Sequence, residues 1–427
     1  MVDVISNLIK DKSVLILGFG MEGQSTYKLL KDIGLYSKIG IADKNPPLNI
    51  PECTMHSDAN YLDCIDDYDI TFKSPGVILP KAYTEYKSVF TSQTELFLQV
   101  YNRQVIGVTG TKGKSTVSSL LYHVLSWKNI PCILAGNIGK PVFDIIKDID
   151  VKTIVVLELS CHQLDKCAYS PALSVLLNIY QDHLDYYGTF ENYARTKKNI
   201  YLHQHPLDVL YCNPDTIPFP EEHIARTVVV KSDMLPFKSP ESILGTKLPG
   251  KHNIENAAFV YCIAKTFGLT DSDFAESIKS FTPLRHRLEL IGNKDGVDYY
   301  DDSISTTAES AISAVESIQN ASTILLGGMD RGIDYTGLVE YLCTCKLLNV
   351  ICMYESGKRI FDMLESCVNK KPMITYCDNL TEAVRAAEKV TPSGTACLLS
   401  PASASYSDFK DFRERGEKFK SLVFDEV

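Results

Sequence analysis

Short apolar runs, most of them followed by a polar or glycine-containing turn, alternate with longer stretches whose apolar residues recur every three or four positions. This alternation predicts strands that alternate with helices, and therefore mostly parallel sheets covered by helices on both faces. The runs that predict strands are 13–17, 39–42, 69–72, 104–108, 153–159, 174–179, 207–212, 297–300, 323–327, 348–353 and 395–399. The predicted fold class is α/β.

The pattern restarts twice, first after a predicted helix around 93–101 and again at the start of the last third of the chain. We therefore predict three domains, which span residues 1–97, 98–283 and 284–427. The first and last are expected to be Rossmann-like, and the middle one to be built on a parallel sheet. Residues 213–250 are rich in proline and mixed charge and are predicted to be irregular.

The composition is ordinary for a soluble globular protein, with 45% hydrophobic and 22% charged residues. A net charge of −10 argues against nucleic acid and anionic membrane surfaces as partners. Because the chain begins without a signal-peptide pattern and has no apolar run near the roughly 18–20 residues of a membrane span, we expect no membrane insertion and a cytoplasmic location. Its 13 cysteines are scattered, which predicts reduced core thiols.

The most informative motif is the glycine-rich segment 107–116, which lies between a predicted strand and a predicted helix. This context is typical of a phosphate-binding loop, whose backbone amides surround phosphate oxygens. Lys114 would reach the outer phosphates, and Ser115 would offer its hydroxyl to Mg²⁺. Counting back from Gly113 and Lys114, the standard spacing would place a glycine at 108, where Val108 stands, and the glycine is instead Gly110. The alternative is a plain turn before a helix, but the sequence favours a nucleoside triphosphate site.

A second glycine motif, Gly18-x-Gly20-x-x-Gly23, follows the first predicted strand. An acidic residue, Asp43, ends the next strand, and Gly76 lies in a turn expected at the same crevice. This arrangement is typical of a Rossmann dinucleotide site. Because the motif recognises a diphosphate more than a nicotinamide, another phosphorylated nucleotide remains an alternative.

Candidate metal ligands follow two strands of the predicted middle domain. Glu158 follows the apolar residues 154–157 in the run 154–160, and His183 stands in a loop with acidic neighbours after the next strand. Carboxylates and histidine at one sheet edge predict metal or substrate ligands, although each alone could be a surface or structural residue. Lys197 and Lys198 lie on a helix predicted over 191–201 and, taken alone, suggest only surface charge.

Taken together, these motifs resemble those of the Mur ligases, the ATP-dependent amide-forming enzymes of peptidoglycan precursor synthesis, and most of all their D-glutamate-adding branch. The resemblance covers the whole chain. It rests on segments 110–116, 136–139, 157–160 with Gln163, 182–185, 192–197, 250–253 with Asn256, 286–287, 327–328, 330–332, 399–402 and 409–416.

The resemblance implies ATP and Mg²⁺ as cofactors. The residues it places at ATP are Gly110, Thr111, Lys112, Gly113, Lys114, Ser115, Thr116, Asn253, Asn256 and Arg287. The metal ligands it implies are Ser115, Glu158, His183 and a carbamylated lysine, which matches Lys197 rather than Lys198. The catalytic residues it implies are Lys114, His183, Lys197 and Asp302, the last reaching ATP from the third domain.

The partners it implies are UDP-N-acetylmuramoyl-L-alanine and glutamate, bound by a chain expected to be a monomer. The first domain would then hold UDP rather than a redox cofactor, through Gly20, Asp43 and Gly76. The muramoyl-alanine end would meet Asn137, Ser160, Gln163 and His183. The amino acid would meet Thr306, Arg331, Ser405 and Phe412.

The chain departs from the D-glutamate pattern mainly in segment 301–307, where Ile304 stands in place of the usual lysine. Lys112 replaces an asparagine in the phosphate loop, and Cys161-His162 replaces a small and an aromatic residue. These differences leave open a Mur-type ligase that adds L-glutamate or another amino acid. A folylpolyglutamate-type ligase is a further alternative, although it would not explain the first domain.

Overall fold

The structure is a computed structural model, and it describes residues 1–44, 50, 52–57, 60–180, 184–237, 248, 251–282, 285–330, 332–367, 372–406 and 408–425. The chain forms two compact units. The first comprises Met1–Ile243 with His252–Phe281, and the second comprises Thr282–Val427 with Leu244–Lys251. The first unit contains two sheets and the second contains one. Each of the three predicted domains contains one sheet. The residues at which the domains begin and end remain a prediction.

The first sheet has five parallel strands in the order β3-β2-β1-β4-β5. Its strands are β1 (Ser13–Leu17), β2 (Lys38–Ala42), β3 (Thr54–His56), β4 (Ile70–Lys73) and β5 (Val89–Thr91), and its helices are α1 (Val2–Ile9), α2 (Met21–Ile33) and α3 (Gln93–Tyr101). The last four residues of β1 are all buried. Continuous burial is expected where helices and loops cover both faces of a parallel strand.

The central sheet has six parallel strands in the order β11-β10-β9-β6-β8-β7. They are β6 (Val105–Thr109), β7 (Cys132–Gly136), β8 (Ile154–Glu158), β9 (Leu173–Leu176), β10 (Val209–Cys212) and β11 (Arg226–Val229). The helices around it are α4 (Lys114–Trp127), α5 (Cys161–Leu164), α6 (Leu184–Tyr187), α7 (Phe190–Lys198), α8 (Lys251–Thr266) and α9 (Asp271–Ser280).

This strand order brings candidate residues to one edge of the central sheet. Strand β6 lies between β9 and β8, and Val108 pairs with Glu158 in the β6–β8 register. The segment after β6, which is the phosphate loop, therefore begins beside the end of β8. Ligands of parallel α/β sheets collect at this carboxyl edge.

The third sheet is mixed, in the order β12-β13-β17-β14-β15-β16. Its strands are β12 (Glu289–Lys294), β13 (Val297–Asp301), β14 (Ala321–Leu326), β15 (Asn349–Met353), β16 (Met373–Cys377) and β17 (Ala396–Leu399). Its helices are α10 (Ala308–Ser317), α11 (Thr336–Thr344), α12 (Tyr354–Glu365), α13 (Leu380–Val390) and α14 (Phe412–Phe424). Only β12 runs antiparallel to its neighbour, as a hairpin with β13.

The predicted α/β class and the predicted strands are confirmed, with ends that shift by at most three residues. The prediction that 213–250 is irregular is wrong at β11, which pairs in parallel with β10. Its burial pattern, one exposed and three half-buried residues, is that of a sheet edge and lacks the continuous apolar run of an inner strand. No helix in the described part of the chain is both long enough and apolar enough to cross a membrane.

Candidate active site

The phosphate loop is held in shape by contacts that allow glycine and little else. Gly113 has a φ of +85°, and a Cβ there would lie 2.5 Å from Oδ1 of Asn256. Gly110 packs so closely on Leu177 that a Cβ would lie 2.9 Å from the leucine Cβ. The shifted glycine spacing follows from this packing, because β6 continues to Thr109 and Val108 is a fully buried strand residue.

Asn178, just beyond β9, fixes the turn of the loop. Its Oδ1 accepts a hydrogen bond from the amide of Lys112 at 2.8 Å, and its Nδ2 donates to the carbonyl of Lys112 at 3.1 Å. Its own carbonyl accepts from the amide of Thr111 at 2.9 Å. These three bonds set the loop conformation from a neighbouring strand. The sequence motifs gave no sign of this residue.

Lys114 begins helix α4 and curls back over the loop. Its Nζ donates to the carbonyl oxygens of Gly110 and Thr111, each at 2.9 Å. Ser115 and Thr116 follow in the first turn of the same helix and are buried. The positive end of the helix and the lysine cation therefore meet at one point, which suits an anionic ligand.

Glu158 ends β8 beside the loop and is completely buried. One carboxylate oxygen, Oε1, accepts a hydrogen bond from Nδ2 of Asn137 at 2.8 Å. The other, Oε2, receives no hydrogen bond from any described residue. A buried carboxylate oxygen without a donor costs free energy unless a cation or another ligand compensates it.

The two neighbouring lysines of α7 differ sharply in environment. Lys197 is 1% exposed, donates from Nζ to the carbonyl of Gly110 at 2.9 Å and lies 4.9 Å above the ring of Tyr193. Lys198 instead forms an ion pair of 2.9 Å with Glu222 away from the loop. The hydroxyls of Tyr193 and Thr111 are 2.9 Å apart, so α7 contacts the loop through two residues.

Two of the residues expected at ATP lie on α8. Asn253 and Asn256 are both buried, and Nδ2 of Asn256 donates to Oδ1 of Asn253 at 3.1 Å. Because Asn256 also packs against Gly113, this pair joins α8 to the phosphate loop. His183 and Arg331 lie outside the described residues, and their predicted roles stay predictions.

The crevice of the first sheet is built around its glycine motif. The carboxylate of Asp43 accepts a hydrogen bond from the amide of Phe19 at 2.6 Å. A Cβ at Gly18 or Gly23 would collide with neighbouring atoms, whereas a Cβ at Gly20 or at Gly76 would meet nothing within 4 Å. Gly18 and Gly23 therefore shape the turn, and Gly20 and Gly76 leave the open surface that a ligand needs.

Ser160 and Gln163 cap the short helix α5. The Ser160 hydroxyl accepts from the Gln163 amide at 3.2 Å, and the Gln163 side chain accepts from the Ser160 amide at 3.0 Å. Nε2 of Gln163 also donates to the carboxylate of Glu22 on α2 at 2.7 Å. Burial raises the pKa of Glu22, and this hydrogen bond acts against the rise. Glu22 thus ties the first sheet to the central one, which the sequence did not indicate.

At the carboxyl edge of the third sheet, the two acidic side chains accept hydrogen bonds from residues of the same unit. Asp302 accepts hydrogen bonds from the Ser400 hydroxyl at 2.7 Å and from the Leu288 amide at 3.2 Å. Burial raises the pKa of Asp302 to about 6. The carboxylate of the preceding residue, Asp301, accepts a hydrogen bond from Nδ1 of His286 at 2.7 Å. This bond raises the pKa of His286.

A fully buried arginine, Arg415 on α14, holds the segment that departs from the family pattern. It donates to the Ser303 carbonyl at 2.8 Å, to the Ser303 hydroxyl at 3.0 Å and to the Ser403 carbonyl at 3.0 Å. The Ser303 hydroxyl in turn donates to the carbonyl of Phe412 at 2.7 Å. Burial lowers the pKa of Arg415 to about 10. Sequence motifs included this residue without indicating its role.

The remaining candidate residues of the third-sheet unit differ in exposure to solvent. Thr306 is exposed, Ile304 and Phe412 are half-buried, and Ser405 is buried. Nε of Arg287 is buried and has no hydrogen-bond partner among the described residues. A guanidinium N–H left without an acceptor indicates a site for an anion.

Comparison with known proteins agrees with the resemblance. Residues 108–230 match the Mur ligase middle domain. The UDP-N-acetylmuramoylalanine–D-glutamate ligase of Acetivibrio thermocellus is 31% identical over 453 residues, which cover 97% of each chain. The enzyme of the same name from Aquifex aeolicus is 32% identical over 428 residues, which cover 96% of this chain and 98% of the relative. The chain belongs to the Mur ligase family.

The fold of this Mur ligase agrees with that assignment. The crystal structure of MurF ligase from Thermotoga maritima in complex with ADP superimposes with a TM-score of 0.58 at 18% identity, covering 98% of this chain and 95% of that one. The three-domain α/β architecture is therefore that of the family. As a Mur ligase, the protein is an ATP-dependent enzyme that forms amide bonds.

Proposed function

We propose that this ligase joins D-glutamate to UDP-N-acetylmuramoyl-L-alanine, with ATP converted to ADP and phosphate. Relatives that match almost the full chain carry the name of this reaction. The observation that carries the proposal is the oxygen Oε2 of Glu158, buried beside the phosphate loop without a described donor. It is the feature expected where a cation accompanies the phosphates of ATP.

The residues present fit a Mg²⁺ ion. Glu158 supplies a hard anionic oxygen that is held in place by Asn137, and Ser115 supplies a hydroxyl in the first turn of α4. Oxygen donors of this kind are those that Mg²⁺ prefers, together with phosphate oxygens. When bound there, the ion would neutralise charge that develops on the phosphoryl group.

Two chemical steps form the amide. The substrate carboxylate attacks the γ-phosphorus of ATP, which gives an acyl phosphate and ADP. The glutamate amine then attacks the acyl carbon, and phosphate leaves with the oxygen that joined it. Lys114 would exchange its bonds to the Gly110 and Thr111 carbonyls for phosphate oxygens, and the amide groups at the start of α4 would add further hydrogen bonds.

Lys197, rather than Lys198, is the lysine we propose to be carbamylated. Its Nζ reaches the phosphate loop through the Gly110 carbonyl, whereas Lys198 is paired with Glu222. Reaction with CO₂ would replace a buried cation with a carboxylate-like group. Such a group could serve as a further oxygen ligand for a metal, with His183.

The two other substrates would bind away from the loop. UDP would lie at the crevice of the first sheet, where Gly20 and Gly76 leave open surface near Asp43. Glutamate would meet the segment around Thr306, Ser405 and Phe412, with Arg331 as a cation for one of its carboxylates. We propose a monomeric enzyme of the cytoplasm, where this nucleotide precursor would be made.

Phosphate release tests the proposal directly. Purified enzyme is given ATP, Mg²⁺ and UDP-N-acetylmuramoyl-L-alanine, with D-glutamate, L-glutamate or no amino acid, and the products are identified by mass spectrometry. Release that requires both the nucleotide substrate and D-glutamate supports the proposal. Release only with L-glutamate would favour the alternative suggested by Ile304. In a parallel reaction a folate replaces the nucleotide substrate, and release only there would favour a folylpolyglutamate-type ligase.

A further inference from the structure

One pair of cysteines stands apart from the others. All 13 cysteines lie in the described part of the chain, and burial raises the pKa of several of them, such as Cys167, Cys352 and Cys397, to about 12. Such thiols are poor nucleophiles because they seldom ionise. Cys343 and Cys367 are distinguished by position, since their sulfur atoms lie 2.6 Å apart.

The two sulfurs come from neighbouring helices of the third-sheet unit. Cys343 is the penultimate residue of α11, and Cys367 lies two residues beyond the end of α12. Both belong to the same apolar cluster, where α11 packs on α12. A covalent S–S bond is about 2.05 Å long, so a movement of about half an ångström would join them.

Access favours oxidation from the Cys367 side. Cys367 is partly exposed, whereas Cys343 is 7% exposed. An oxidant from solvent would thus react with Cys367 first, and the sulfur of the more buried Cys343 would lie next to the oxidised sulfur. This arrangement of an accessible thiol next to a resolving thiol is the one found in reversible redox pairs.

We propose that Cys343 and Cys367 form a reversible disulfide when the protein meets a peroxide. The Cys367 thiolate attacks one peroxide oxygen, the O–O bond breaks and hydroxide leaves, which gives a sulfenic acid. The Cys343 sulfur then attacks the Cys367 sulfur, the S–O bond breaks, and the oxygen leaves as water. In total, two thiols and hydrogen peroxide give one disulfide and two water molecules, and a dithiol reverses the reaction by exchange.

The bridge would close a loop that carries contacts to a candidate substrate segment. Between the two cysteines, Ser356 and Arg359 of α12 bond the residues on either side of Arg331. The Ser356 hydroxyl donates to the Gly328 carbonyl at 2.9 Å, and Arg359 donates to the Asp330 carboxylate at 2.5 Å and to the Ile333 carbonyl at 3.0 Å. The disulfide would restrict the movement of α12. The reduced form, with both thiols, would be the form that catalyses ligation.

Peptide mapping tests the pair. The full chain is reduced, treated with hydrogen peroxide, blocked with N-ethylmaleimide and digested without reductant. We expect a Cys343–Cys367 linked peptide as the main cross-link. Before blocking, this cross-link lowers the mass of the intact protein by about 2 Da for the two hydrogens lost, and dithiothreitol reverses it fully.

Matched variants keep the test independent of folding and of the ligase reaction. Cys367→Ser should abolish the cross-link. Cys345→Ser, which lies two residues from Cys343 at the same helix end, is the control and should leave the cross-link unchanged. Both variants should keep the turnover of the reduced enzyme. The proposal would be overturned if peroxide left both thiols open to maleimide, if Cys367 bonded to Cys345 instead, or if Cys367 advanced to sulfinic acid beside an unmodified Cys343.

Discussion

At the carboxyl edge of the central sheet, Glu158 keeps one buried oxygen without a described donor, whereas just beyond the third sheet both oxygens of Asp302 accept hydrogen bonds. Two arginines of the third-sheet unit differ in the same way. Arg287 has a buried N–H without a described acceptor, and Arg415 is bonded to four backbone or hydroxyl oxygens of its own unit. Each edge thus leaves one polar group uncompensated and uses the rest to fix its loops.

This difference separates groups that serve a ligand from groups that serve the fold. An uncompensated buried charge persists in a protein when a ligand completes it. A fully bonded one rigidifies the backbone that presents other residues. We therefore propose that Glu158 serves the bound nucleotide. The bonds of Asp302 and Arg415 hold segment 301–307 and the turn after β17 in place, and the predicted approach of Asp302 to ATP stays a prediction.

The largest effect is expected at Glu158. Replacement by Gln keeps the shape and the contact with Asn137 but removes the charge, so we expect turnover to fall on the order of 10³-fold. Steady-state phosphate release measures the loss, with circular dichroism to confirm the fold. Turnover within a factor of three of the wild type would show that the uncompensated oxygen has no role in the reaction.

The two lysines of α7 provide the next test. Lys197→Ala should lower turnover by between about 10² and 10³-fold, because a buried group at the phosphate loop is lost. Lys198→Ala removes only a partly exposed ion pair and should change turnover less than about twofold. Equal losses in both variants would contradict the assignment, and partial rescue of Lys197→Ala by small carboxylates would support carbamylation.

Arg415 should matter for stability. Arg415→Met leaves buried oxygens of Ser303 and Ser403 without donors, and we expect local stability to fall by about 3 kcal/mol. Hydrogen exchange of the β13 and β17 amides reports this loss. The exposed neighbour Arg413→Met is the control and should change protection by less than about 0.5 kcal/mol. Similar effects of both variants would mean that the buried contacts are unimportant.

The smallest effect concerns Asp302 and pH. Its pKa is raised to about 6 in the folded state, so the folded protein binds a proton that the unfolded chain releases near pH 4. Stability is therefore greatest below pH 4 for this group and declines as pH rises to about 6, by roughly 2–3 kcal/mol. The same exchange experiment on Asp302→Asn should lack this decline; an unchanged pH dependence would exclude Asp302 as its source.

The sequence predicted most of the fold because inner parallel strands are continuous apolar runs. It missed β3, β5, β7, β11, β12 and β16, whose residues are largely half-buried or exposed. Such strands lie at or next to sheet edges, where one face or one side meets solvent, and the apolar signal weakens.

For the site, the loop and the strand ends were predictable, since parallel strands bring their carboxyl ends together. Asn178 and Arg415 were not, because their roles are bonds to backbone atoms 66 and 112 residues away. No local pattern reports such a contact. The uncompensated oxygen of Glu158 likewise depends on which donors the fold brings near, which spacing alone does not determine.

The measurement that tests the central claim most directly is the affinity for a divalent cation in the presence of ADP. Mn²⁺ replaces Mg²⁺, and its binding is measured by electron paramagnetic resonance. We predict that Glu158→Gln weakens Mn²⁺ binding by about 10–100-fold, while Asp302→Asn changes it by less than about threefold. Wild-type affinity in Glu158→Gln, or a greater loss in Asp302→Asn, would contradict the division between the two edges.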